Sequence, residues 1–212
     1  MSLISVQLHE IFNSLKRYHY PFNDSFKEIL LNGIYIKFEN GETYKDFDRI
    51  VRIGTDTGQN QLQSRLKQHF EIENHRRSIF RHNIGRSILN KENSDYLKKW
   101  DLPFTSSEEK KRNLSLLDFE FEKKIEQKVS RYIQSNFSFC VIEINTKSER
   151  LFWESKLIST IAQTKDIKAS QNWLGNYSPK KTIRDFGLWQ IQAIKKVPMN
   201  ENEFIEFKKL AG

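Results

Sequence analysis

The spacing of hydrophobic positions changes several times along the chain, and each change marks an element. Leu8, Ile11 and Leu15 fall at i, i+3 and i+7, so the stretch from Val6 to Arg17 predicts an amphipathic helix, interrupted at Pro21. Asn23-Asp24-Ser25 offers caps for a short second helix ending near Leu31. The period then shortens. Gly33-Ile34-Tyr35-Ile36-Lys37-Phe38-Glu39 is an apolar run turning to alternation, and Asn40-Gly41 predicts the turn behind that strand. A second short strand is expected over Ile50 to Ile53, stopped by Gly54. Helical spacing returns between Gln59 and Phe70, with Leu62 and Leu66 at i, i+4. A third helix is expected from about Asn74, with Ile79, Phe80, Ile84 and Ile88 inward and its basic residues outward.

Beyond Lys91 the composition turns polar. Thr105-Ser106-Ser107-Glu108 has the form of a capping box, and Leu114, Leu117, Phe121, Ile125, Val129 and Tyr132 predict one long helix behind it, to about Gln134. Phe137 to Ile144 is nearly all apolar and of strand length, the candidate central strand. Thr146-Lys147-Ser148-Glu149 opens a helix to about Thr164, Leu188 to Ile194 is a further strand candidate, and Asn200 with Glu203 caps a last short helix. The pattern predicts an α+β fold, a small mixed or antiparallel β-sheet flanked by helices. An N-terminal helical arm spans 1–31, the main domain 32–198 with a helical insertion at about 91–135, and a C-terminal helix 199–212.

Composition narrows the function classes. The 212 residues include 16 Phe, enough for a sizeable core, while 8 Gly and 4 Pro exclude collagen-like and low-complexity chains. Cys140 is the single cysteine, which excludes a disulfide framework and a multi-cysteine zinc site; its simplest reading is a buried thiol. No apolar run approaches the ~20 residues of a membrane helix, and no signal-peptide core opens the chain, so a cytoplasmic protein with no membrane partner is expected. The net charge of +8 is concentrated. Arg65, Lys67, Arg76, Arg77, Arg81 and Arg86 stand against only Glu71 and Glu73, and Lys180, Lys181, Arg184, Lys195 and Lys196 against only Asp185. These two runs hold the whole excess, and His69, His75 and His82 fall in the first. Such clustering suits a polyanionic partner, with a solvated helix face as the plain alternative.

One residue breaks its local rule. Glu154 shares a helix face with Leu151, Ile158 and Ile161, where a carboxylate needs an arginine partner or a metal. Gly33-Ile34-Tyr35, Arg52-Ile53-Gly54, Leu62 with Arg65 and His69, Glu154, and Asn172 within Ser170-Gln171-Asn172-Trp173-Leu174-Gly175 follow one another in an order that resembles the GIY-YIG nuclease family. The likeness covers about 32–194, around the insertion. It implies Tyr35, Arg52, Arg65, His69, Glu154 and Asn172 as the catalytic set, with Glu154 the ligand of one Mg²⁺ or Mn²⁺ ion. One departure is plain: the first tyrosine of the second signature is Arg52 here.

The chemistry is consistent with those residue types. Phosphodiester hydrolysis needs an activated water, stabilised negative charge and help for the leaving oxygen. A metal ion on Glu154 would supply Lewis acidity, Arg65 a fork of donors for the phosphate, and Tyr35 an acceptor for the water's proton. A phenol is a weak base unless a cation such as Arg52 or His69 stands beside it. Asn172 would orient Glu154 or a phosphate oxygen. Arg76, Arg77, Arg81 and Arg86 on one helix, and Lys180, Lys181 and Arg184 on the other side, are the candidate contacts to duplex DNA. The reading is a metal-dependent DNA endonuclease of restriction type, needing a homodimer or successive nicks to cut both strands. A repair or mobile-element nuclease, and a noncatalytic nucleic-acid-binding module, are its rivals.

Overall fold

The computed structural model describes residues 2–212, with side chains at all of them except Ser2, Asn23, Asp24 and Ser25. The caps expected at Asn23-Asp24-Ser25 therefore lie outside the described side chains. Four strands, β1 (Tyr18–His19), β2 (Gly33–Tyr44), β3 (Phe47–Thr55) and β4 (Phe137–Glu143), form one antiparallel sheet in the order β1-β4-β2-β3. The fold is α+β, as the pattern of elements predicts, with helices on both faces of the sheet.

Double burial explains the nearly continuous apolar strands. On one face Ile34, Ile36, Phe38, Cys140 and Ile142 pack against α1 (Ser2–Ser14), α7 (Lys147–Ala162) and α9 (Glu201–Ala211) through Leu8, Phe12, Trp153, Leu157, Phe204 and Phe207. On the other, Tyr35, Phe137 and Phe139 meet α2 (Leu62–Phe70), α3 (Ile79–Lys91) and α6 (Phe119–Asn136) through Leu66, Phe70, Phe80, Ile84, Val129 and Ile133. Each fully buried aliphatic or phenylalanine side chain contributes about 1.5–3 kcal/mol. Burial pushes the Cys140 thiol up to about 12, as befits an inert core residue. His9 pins α1 to β3: its Nε2 accepts the Ile50 amide at 3.2 Å, so the proton is on Nδ1, which donates to Ser5 O at 2.7 Å.

Several elements differ from expectation. β2 runs through Asn40-Gly41, which forms a bulged stretch with Gly41 at φ 83°, and the hairpin turns instead at Lys45-Asp46. Two buried interactions hold this long ribbon: Arg49 pairs with Glu42, and Glu42 also accepts from Ser170. The insertion is not one long helix. The α4 turn (Leu97–Trp100), α5 (Ser107–Leu114) and α6 are separate, since Ser106 rather than Thr105 caps α5 with Glu109, and Asp118 starts α6 afresh. Leu188 to Ile194 is not a strand; among the described residues its one backbone–backbone bond to β3 runs from Trp189 N–H to Val51 O, and the chain then turns away. α8 spans Lys181–Phe186, and α9 carries the expected Asn200–Glu203 capping box. Among the described residues no helix is long and apolar enough to cross a membrane.

Candidate active site

The odd-numbered positions of β2 place Tyr35, Lys37 and Glu39 in a row beneath α2, α3 and α6, all buried. Two glycines let the sheet close here. A Cβ on Gly33 would strike Ile142 O of β4, and one on Gly54 would collide with the Tyr35 hydroxyl. Gly54 faces Tyr35 across the β2–β3 pair, so the Ile-Gly of the second signature is the seat of the first signature's phenol. One register step away, Lys37 faces Arg52.

Around this row lie the other predicted residues. His69 on α2 meets the Tyr35 ring edge-on at 5.4 Å and is fully buried. Burial holds its imidazole well below the usual range, and Lys37, Arg65, Arg52 and Arg81 push the same way. Arg65, one helical turn before His69, is half-buried and bonds Gln68 Oε1 and Arg77 O, each at 3.1 Å. Glu154 on α7 is half-buried at the end of β3, its Oε1 accepting the Thr55 amide at 3.1 Å. No basic group pairs with it among the described residues, which removes the ion-pair alternative. Burial raises its pKa, opposed by the Thr55 amide and by Arg52, Arg65 and Lys196.

Arg52 and Glu154 line one cavity of about 210 Å³ with Asn83 of α3 and Gln190. Arg52 donates to Trp189 O and keeps Nε unpartnered. Most of the buried side-chain nitrogens without a partner, among the described residues, belong to this neighbourhood: Lys37 Nζ, Arg52 Nε, both His69 ring nitrogens, Asn83 Nδ2 and Gln190 Nε2.

A family model described as a GIY-YIG domain matches residues 9–209. The chain belongs to the GIY-YIG family. No curated protein and no solved structure matches it. In this GIY-YIG protein the match runs from the middle of α1 to near the end of α9.

The site differs from the sequence reading in three respects. Asn172 is exposed before the Leu174–Tyr177 turn and lines none of the cavity; the neighbouring Trp173 is the buried member, donating with Trp189 to Glu39 Oε2, each at 2.7 Å. The basic residues after Arg65 do not all face outward. Arg81 is fully buried against Glu126 and Ser130, Arg86 bonds Asp101 and Asn83, and Arg76 forms a two-point pair with Glu122. The insertion carries those acids, so it neutralises much of the first basic run. Arg77 stays exposed, as do Lys180, Lys181 and Arg184. Third, Lys37, Asn83 and Gln190 went unnoticed in the sequence. Lys37 carried a usable signal, a lysine at an interior position of an otherwise apolar strand; its Nζ lies 3.9 Å from the centre of the Phe70 ring.

The residues present offer a divalent metal one carboxylate donor, Glu154. Among the described residues no three His, Cys, Asp or Glu side chains cluster, which leaves Glu154 as a lone carboxylate donor without a competing cation. Mg²⁺ is commonly held by one or two carboxylates with substrate phosphate and water completing its shell.

Proposed function

We propose that this GIY-YIG protein is a metal-dependent endonuclease that hydrolyses phosphodiester bonds of duplex DNA, in the manner of a restriction-type enzyme. The observation that supports the reading is the half-buried carboxylate of Glu154, which shares a cavity with Arg52 and accepts the Thr55 amide next to Gly54, against which the buried Tyr35 hydroxyl packs. When bound at Glu154, a divalent ion supplies Lewis acidity toward the phosphate. Arg65 holds the phosphate and stabilises charge that builds during attack. Tyr35 takes the proton of the attacking water at its phenolic oxygen. His69 packs on the Tyr35 ring and, kept neutral, holds the phenol in place without adding charge. Arg52, a permanent cation across from Lys37, occupies the position of the missing tyrosine and cannot itself carry a proton. Its role is to hold a phosphate oxygen. Arg77, Lys180, Lys181 and Arg184 are the exposed cations available to the DNA backbone.

Arg52 also motivates a second reading, a module that binds nucleic acid without cutting it. Incubation of the purified protein with plasmid DNA in Mg²⁺, in Mn²⁺ and in chelator separates the two. Endonuclease activity predicts nicked and linear products with either metal and none with chelator. DNA retention on a gel with no cutting in either metal would select the binding module.

A further inference from the structure

The cavity beside Glu154 is built asymmetrically for hydrogen bonding. Asn83 and Gln190 are nearly fully buried in its wall, and each has spent its carbonyl oxygen. Asn83 Oδ1 accepts from Arg86 at 2.8 Å, and Gln190 Oε1 accepts from the Ile53 amide at 2.9 Å. Both amide orientations are forced, because a guanidinium and a backbone N–H have only hydrogens to give. The outcome is two buried NH₂ groups without partners, joined by the unpartnered Nε of Arg52. Leaving such buried donors unsatisfied is costly.

We propose that Asn83 and Gln190 are phosphate-binding residues, which together with Arg52 hold a phosphate group of the DNA backbone beside Glu154. A ligand rich in acceptors suits these buried residues, since three donor nitrogens are without partners while both amide carbonyls already accept a bond within the protein. A phosphodiester carries only acceptors. A nucleobase edge read by an amide would use its N–H and its C=O together, and here the carbonyls are already engaged. Ile53, Ile79, Ile158 and Ile191 form the apolar part of the lining, to which the exposed Gln192 also belongs, and an apolar surround strengthens each donor's hold on an anion. The inference deepens the nuclease reading and rests on it for the identity of the phosphate as part of DNA.

Two acidic substitutions remove the donors and put a negative charge in their place, both of which should weaken the hold on a phosphate. Asn83→Asp still accepts from Arg86, and Gln190→Glu still accepts from Ile53, yet neither can donate into the cavity. Gln127→Glu, exposed on α6, makes the same change of charge elsewhere. Inorganic phosphate titrated into the wild-type protein, followed by NMR of side-chain amides, should shift the Asn83 and Gln190 NH₂ signals. Each cavity variant should bind phosphate at least fivefold more weakly, with Gln127→Glu unchanged. The wild-type titration does not depend on the variants folding. Absence of any shift at both amides, or equal phosphate affinity in the two cavity variants and wild type, would overturn the proposal.

Cleavage of plasmid DNA in Mg²⁺ provides the second arm, with kcat/KM expected to fall at least tenfold in either variant. If wild type binds phosphate at these amides but cuts nothing, the nuclease reading fails and the phosphate site stands. If wild type cuts and both variants cut equally fast, the site fails and the nuclease reading stands.

Discussion

Around Tyr35, Gly54 and Lys37 single atoms decide how closely the sheet and its helices pack. Gly54 is required less for backbone freedom than for the space that the Tyr35 hydroxyl occupies. Gly54→Ala should displace the phenol, reducing cleavage at least tenfold while costing about 1–3 kcal/mol in a urea melt, the usual penalty for overpacking. Unchanged cleavage would mean that the phenol has no part in the reaction. Lys37 is a different case. Burial, with Arg52 and Arg65 adding to it, holds its amine well below the ordinary lysine range. In the window between its folded and ordinary values the unfolded chain therefore binds more protons at Lys37 than the folded one. Stability must then rise with pH up to the ordinary lysine range. Lys37→Met should remove that rise in melts taken between neutral and alkaline pH and should be more stable than wild type at neutral pH; an unaltered slope would contradict the assignment. At this scale the sequence was partly legible. Tyr35, Arg65, His69 and Glu154 stand out because their spacing follows a family order and because Glu154 violates an apolar face. Asn83 and Gln190 do not stand out, since buried amides carry no periodic signature and their importance lies in which oxygen is already bonded.

Elements followed their local patterns where one interaction dominates. β4 and α9 lie close to their predicted spans, through an apolar run and a capping box respectively. Patterns failed where long-range partners decide. Asn40-Gly41 carries a hairpin signature, but the Arg49–Glu42 pair and its contacts to Ser170 extend the ribbon past it. Leu188 to Ile194 reads as a strand, yet Gln190 bonds the Ile53 amide through its side chain, and the ladder stops there. The basic helix misled for the same reason: Arg81 looks solvated until α6 sets Glu126 against it. Glu126→Ala leaves Arg81 buried without its carboxylate and also strips His75 of a partner, so it should cost about 3–5 kcal/mol. Chemical denaturation measures this directly; a loss under about 1 kcal/mol would show that water reaches Arg81.

For the whole molecule, the insertion engages Arg76, Arg81 and Arg86 through Glu122, Glu126 and Asp101, so the exposed cations near the site are others. Arg77 and Lys67 are exposed beside Arg65, and Lys180, Lys181 and Arg184 lie around the start of α8. Binding to duplex DNA should therefore depend on salt through these residues. Arg77→Ala should lower the magnitude of the log-log salt slope by about one, whereas Arg86→Ala should change stability more than slope. Equal slopes for Arg77→Ala and wild type would remove Arg77 from the interface. The central claim, that Glu154 makes this site a metal-dependent phosphodiesterase, is tested most directly by one comparison. Single-turnover plasmid cleavage in saturating Mg²⁺ is measured for wild type and Glu154→Gln, a variant that can still accept the Thr55 amide. The account predicts a rate at least a hundredfold lower with DNA affinity within a few fold of wild type, and cleavage by Glu154→Gln at the wild-type rate would contradict it.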